Sequence, residues 1–169
     1  MKFVLGLVIG VLVVILGALA YFALGLAPVA TSAAPMPMER KLAGMALRAR
    51  ISKEAPAAAP IPADEPNLLA GATVYRTQCA VCHGLSGQPE TEIAKGMFPH
   101  PPQLFMGQGV TDDSPGETYW KAANGIRLTG MPGFKATLSD TQLWQVSLML
   151  ANADKLPAAV KAAVSAPAP

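Results

Sequence analysis

The six residues "CAVCHG" at positions 79–84 hold both cysteines of the chain and one of its two histidines. Three chemistries compete for Cys79, Cys82 and His83. A structural zinc site takes four ligands, and here they would have to include the adjacent Cys82 and His83 together with the distant His100. A thiol redox pair belongs at the end of a strand in a βαβ setting, which the flanking sequence does not provide. Two buried cysteines beside an incidental histidine is the plainest alternative. Covalent attachment of a c-type haem accounts for the spacing itself. Positions 79 and 82 are one helical turn apart and 83 follows 79 by four, so all three side chains can leave one side of a single turn. Two thiols then reach the vinyl groups on one edge of a haem while the imidazole reaches the iron. This reading uses both cysteines and leaves none for a disulfide.

Iron held by His83 has a second face. A thioether there raises the potential and blocks exogenous ligands, whereas an open face invites oxygen, peroxide or carbon monoxide. Downstream of the motif the candidates are Met97, Met106, Met131, Met149 and His100. Methionine is ordinarily adaptable core filler. Met149 falls in a helix needed for packing, and Met97 and His100 lie close in sequence to the proximal turn. Met131 sits in "LTGMPGF", a glycine- and proline-punctuated loop 48 residues after His83. Such a loop can cross the far side of the ring without helical geometry dictating its course, which favours Met131.

The elements that must position these residues read as helices. "NLLAGATVYRTQCAVCH" is helix-forming up to the motif, with Leu68 or Leu69, Ala72 and Tyr75 able to share a face. A loop rich in glycine and proline comes next, kept extended by Pro99, Pro101 and Pro102. Ser114, Pro115 and Glu117 supply an N-cap, a first-turn proline and a capping-box partner for a helix ending near Gly125. Ser139 and Gln142 repeat the pattern for a helix over about 140–152, with Leu143, Val146 or Ser147, and Leu150 on one face and Trp144 alongside. After Leu156 the alanine- and proline-rich sequence is expected to fray. With no alternating strand and no internal repeat, the fold class is all-α.

The rest of the chain sets the compartment. Residues 3–27 are apolar without charge or proline, and as a helix they reach roughly 37 Å, enough to cross a hydrocarbon core of about 30 Å. A cleavable secretory signal normally has a shorter apolar core, so a retained anchor is favoured. Residues 28–65 form an Ala/Pro-rich spacer, expected to be an extended stalk. It is interrupted by a basic helical stretch in which Met38, Leu42, Met45 and Ala49 share a face. That stretch is a short solvated helix in the simpler reading and an interfacial helix in the sharper one. Counted by Arg40, Lys41, Arg48, Arg50 and Lys53 against Lys2, the C-terminal side would face the cytoplasm. Haem c is attached outside the cytoplasmic membrane in bacteria, which reverses that orientation: N-terminus inside, domain on the periplasmic side. The formal net charge of +2 gives no electrostatic case for nucleic acid.

"CAVCHG", the Pro-Pro loop, "NGIRLTGMPGF" and the closing "LSDTQLWQVSLML" stand in the order found in small class I cytochromes c. The chain resembles a membrane-anchored bacterial monohaem cytochrome over residues 66–155, with an anchor at 1–27, the spacer at 28–65 and a tail at 156–169. The resemblance implies a small class I cytochrome c fold, helices wrapped around one covalent haem with the first and last packed across each other. It implies that Gly71 and Tyr75 meet the terminal helix around Trp144 and Leu148, and that the carbonyl of Pro101 or Pro102 accepts the second imidazole nitrogen of His83. It makes Trp120 and Arg127 candidate haem-propionate partners, where a core aromatic and a solvated charge are equally compatible readings.

The function expected is one-electron transfer by a membrane-tethered carrier that transforms no small-molecule substrate, so it is not an enzyme by itself. Its partners are the membrane and redox proteins or a respiratory complex. A fixed subunit of a larger oxidoreductase and a haem enzyme or gas sensor with open iron are the alternatives. Between positions 64 and 155 there are nine acidic and six basic residues, a net of −3, too weak to demand a strongly charged partner.

Overall fold

The computed structural model describes residues 1–106 and 112–166, and the regular elements among them are all helical. Helix α1 (Lys2–Ala23) buries none of its residues and has a mean hydropathy of 3.0 over its most apolar window. Its 22 residues rise about 33 Å, so it is long and apolar enough to cross a bilayer. The chain divides into two compact units, the first ending at Ala43 and the second beginning at Gly44.

Helix α2 (Glu39–Glu54) runs across that division. Of the apolar stripe expected here, Met38 precedes the helix in a left-handed conformation, and Leu42, Met45 and Ala49 are exposed. The residue that α2 buries is Ile51. The segment between α2 and position 64 departs from the extended stalk. Ala59 and Ile61 pack against the core of the second unit. The carbonyl of Pro56 approaches so closely that a Cβ on Gly116 would come within 1.8 Å of it. The Trp120 indole N–H donates to Glu54 Oε2 at 3.0 Å. Packing against the helical domain therefore starts near Ile51, upstream of position 66.

Helix α3 (Glu65–Val74) starts at Asp64, whose carboxylate accepts from the Asn67 N–H at 3.1 Å, with Pro66 in the first turn. It buries Leu68, Gly71, Ala72 and Val74 and leaves Leu69 exposed. The backbone then widens into a π-helical turn (Tyr75–Cys79) and re-forms as the short helix α4 (Ala80–His83). A four-residue helix, α5 (Glu92–Lys95), interrupts the loop that was expected to be irregular. Helices α6 (Pro115–Asn124) and α7 (Asp140–Ala151) both open with the full capping box, Ser114 with Glu117 and Ser139 with Gln142. Tyr119 of α6 stacks on Trp144 of α7 with ring centroids 4.3 Å apart, and its hydroxyl donates to Asp140 at 2.5 Å. That bond, chiefly, holds the phenol up at about 12.

The core is centred where α3 crosses α7. A Cβ on Gly71 would stand 2.2 Å from the Gln145 carbonyl oxygen and 2.9 Å from Met149 Cβ, so the two backbones touch at a position only glycine can occupy. The crossing lies at Gln145 and Met149, one residue beyond the Trp144 and Leu148 expected. Leu143, Val146, Ser147 and Leu150 are all buried, as the helical face predicts. The expected frayed tail is instead helix α8 (Ala158–Ser165), whose Val160 and Val164 are buried in the same core, with Leu156 leading into it. Two valines four apart suffice to dock a short helix when the residues around them are chiefly alanine and can approach closely.

Candidate haem attachment site

Cys79 closes the π-helical turn and Cys82 and His83 end α4, so all three lie at the end of the helical run that begins with α3. The π-helical turn matters locally because an i→i+5 turn rotates the following residues relative to a continuous α-helix. Gly84 ends the run at φ 73, a left-handed conformation suited to glycine. The Tyr75 hydroxyl donates to the Gly84 carbonyl at 2.6 Å, and its ring meets Phe105 edge-on at 5.0 Å. The buried Tyr75 thus ties both ends of the motif-bearing turn together, and it lies in the same buried cluster as Val146, Leu148 and Met149 of α7.

His83 Nδ1 lies 2.8 Å from the carbonyl oxygen of Pro102. A carbonyl only accepts, so Nδ1 carries the proton and Nε2 is left with its lone pair, the tautomer that a metal ligand requires. Burial pushes the His83 pKa below its ordinary value, partly opposed by the Pro102 bond. Of the two prolines named from sequence, Pro102 is the acceptor. Pro101 is buried, and its carbonyl lies 3.2 Å from His100 Nδ1.

The cysteines are free thiols. Burial, with a smaller contribution from Cys82, pushes the Cys79 thiol up to about 12. That opposes a thiol redox pair, whose attacking cysteine needs a lowered pKa. Nor does a zinc site assemble: among the described residues no group of three or more His, Cys, Asp or Glu side chains could hold a metal ion. His100 instead pairs with Glu90.

Met131 is half-buried in the loop between α6 and α7. Its N–H bonds Thr129 Oγ1 at 3.1 Å, and its carbonyl accepts from Ile126 N–H at 3.1 Å. Phe134 and Lys135 bond back to the carbonyls of Ala122 and Ala123. Gly125, at φ 69, lets the chain fold back so tightly that a Cβ there would be 2.5 Å from Gly133 N. Of the rival ligands, Met149 is fully buried in the core and Met106 is exposed. Arg127 is exposed in the Met131 loop. Trp120 has one donor, and Glu54 takes it.

A haem fits these residues on two observations. Between positions 80 and 139 the buried apolar residues described are, besides Pro101 and glycines, Ala80, Ala94, Leu104 and Ala123, three of these four being alanines. Apart from Leu104, the large side chains of the main buried cluster come from α3, Tyr75, α7 and the segment from Leu156 to Val164. The half of the domain that carries the motif and the Met131 loop has little interior of its own, which a large apolar ring would supply. In addition Gln103 Nε2, next to the proline that holds His83, is buried without a hydrogen-bond partner among the described residues, and a group bearing acceptor oxygens would satisfy it.

Sequence reasoning overlooked Thr91. Its hydroxyl accepts from Ala94 N–H to cap α5 and donates at 2.7 Å to the carbonyl of Val81, between the two cysteines. Threonine followed by glutamate in "TEIAKG", with glycine closing the turn, is a helix-start signal of the ordinary kind.

The model of the family described as cytochrome c oxidase, cbb3-type, subunit III, matches residues 66–148. Among solved structures, a chain of the reducing HAO-like protein complex of Kuenenia stuttgartiensis is similar at 25% identity and a TM-score of 0.49, over 56% of this chain and 47% of that one. The present chain thus spans about half the length of that structural relative. No curated protein matches.

Proposed function

We propose that the protein, a c-type cytochrome through its 66–148 domain, carries single electrons beside a membrane to which α1 tethers it. When bound, haem c supplies one iron that alternates between ferric and ferrous states. The observation that carries the reading is the His83–Pro102 hydrogen bond at the end of the Cys-x-x-Cys-His run, which fixes one imidazole tautomer beside two thiols.

Cys79 and Cys82 would hold the haem through thioethers, and His83 and Met131 would ligate its iron. Pro102 orients His83 and strengthens it as a donor. The loop bonds at Ile126, Thr129 and Ala122 hold Met131 on a pinned backbone, so little of the chain has to rearrange when the charge at the iron changes. With His83 and Met131 both held for the iron, no open ligand position would remain for a small-molecule substrate, so the chain would transfer electrons without acting as an enzyme by itself. The N-terminus lies on the cytoplasmic side of the membrane and the haem domain on the periplasmic side, where haem c is attached.

The family description favours a second reading, in which the domain is a fixed subunit of a larger oxidoreductase. Potentiometric titration of the purified full-length protein tests the first claim: a single wave is expected, with about 59 mV per tenfold change in the ratio of oxidised to reduced forms. A two-electron slope or the absence of a wave contradicts it. Purification of the native protein in mild detergent separates the two readings. A chain that leaves the membrane alone is the carrier, and one that leaves in a stoichiometric assembly is the subunit.

A further inference from the structure

Met97 plays no part in the ligand set above, yet it touches the residue beside Met131. A Cβ on Gly130 would come within 2.1 Å of Met97 Cε and 3.6 Å of its Sδ. The thioether methyl of Met97 therefore fills the space that any side chain at 130 would occupy. Gly130 is not in the left-handed region, so what the position requires is room rather than backbone freedom. Met97 is half-buried, and its N–H donates to the Ala94 carbonyl at 3.1 Å. Ala94 is buried in α5, whose N-cap Thr91 bonds the backbone between the two cysteines.

A continuous run of contacts thus leads from Val81 in the attachment motif, through Thr91 and Ala94, to Met97 and across to Gly130. The Met131 loop is pinned from its own side by bonds to α6 and within the loop. Met97 reaches it from the other stretch of chain, the one fixed to the proximal turn.

We propose that Met97 is a positioning residue for the distal ligand: its side chain braces Gly130 and so holds the Met131 thioether at the distance from the proximal turn that the iron needs. The proposal rests on the reading of Met131 as that ligand. Bulk and shape do the bracing, so leucine at 97 replaces methionine and alanine does not. At Gly130 an added methyl meets only the flexible end of Met97, which swings aside. Gly130→Ala therefore undoes the same brace as Met97→Ala, and the two together do little more than either alone.

The experiment titrates imidazole into full-length ferric protein loaded with haem. It follows displacement of the methionine–iron charge-transfer band well below the unfolding temperature. Because an external ligand gains whatever the native bond loses, Met97→Ala should tighten apparent imidazole binding about tenfold. Gly130→Ala should shift it in the same direction and non-additively, and Met97→Leu should stay within about twofold of the parent. If the parent shows the band and Met97→Ala binds imidazole no tighter, the brace is refuted while Met131 ligation stands. If Met97→Leu abolishes the band, the sulfur of Met97 is itself required and the positioning role is refuted. If the parent shows no band, both this inference and the ligand reading fall.

Discussion

Replacing Cys79 and Cys82 together by serine should leave a full-length protein that retains part of its helical circular dichroism but unfolds without a single cooperative transition. The physical reason is the uneven interior. Helices α3, α7 and α8 pack side chains such as Leu68, Val146, Met149 and Val160 against one another. The segment from α4 to the end of the Met131 loop buries chiefly alanine among its described residues. A domain of this size has on the order of 5–15 kcal/mol of net stability, and it buries a smaller fraction of its surface than larger domains do. Losing the ring from the poorly filled half removes the contacts that make that half cooperative with the other. Near-ultraviolet circular dichroism and binding of a hydrophobic dye distinguish the outcomes. Lost tertiary signal with dye binding is expected, and a sharp sigmoidal transition with native near-ultraviolet signal contradicts it.

The second large effect lies at the α3–α7 crossing. Gly71→Ala places a methyl 2.2 Å from the carbonyl oxygen and 2.6 Å from the carbonyl carbon of Gln145. Both are backbone atoms in the middle of a helix, so neither can turn away, and the helices must part. Overpacking of this kind costs roughly 3 kcal/mol, set against less than about 1 kcal/mol regained from the better helix propensity of alanine. The melting temperature of the haem-loaded protein should fall by about 10 °C or more. Gly96→Ala is the control. A Cβ there meets nothing nearer than the Ile93 carbonyl oxygen at 3.7 Å, and the residue is not left-handed, so its melting temperature should be nearly unchanged. Equal melting temperatures for the two variants would contradict the close crossing.

The parts of this arrangement that local sequence determines were legible in it. The spacing of Cys79, Cys82 and His83 dictates which side of a helical turn they share. Each of the Ser114 and Ser139 capping boxes needs only four residues to specify a helix start, and the structure begins α6 and α7 at those places. What escaped was decided by distant partners. Nothing near Pro56 announces that its carbonyl will lie on Gly116, and nothing near Glu54 announces Trp120. Alanine- and proline-rich composition suggested an extended spacer and a loose tail. Yet in α8 the small residues are what allow Val160 and Val164 to reach the core. Pro101 and Pro102 were equivalent as acceptors in sequence, because which carbonyl turns toward His83 depends on the path of the whole loop. The packing of Met97 on Gly130 had no sequence signature, since glycine before the candidate ligand reads as loop flexibility rather than as room for a side chain 33 positions earlier.

The most direct test of the central claim, that Cys79, Cys82, His83 and Met131 together hold one haem c, is the absorption spectrum of the full-length protein in both oxidation states, with and without Met131→Ala. The parent should show haem that stays attached through denaturing extraction, together with the ferric methionine–iron charge-transfer band. Met131→Ala should keep the covalent haem, lose the band and bind carbon monoxide in the ferrous form. Haem that extracts freely from the parent, or a band that persists after Met131→Ala, would contradict the account.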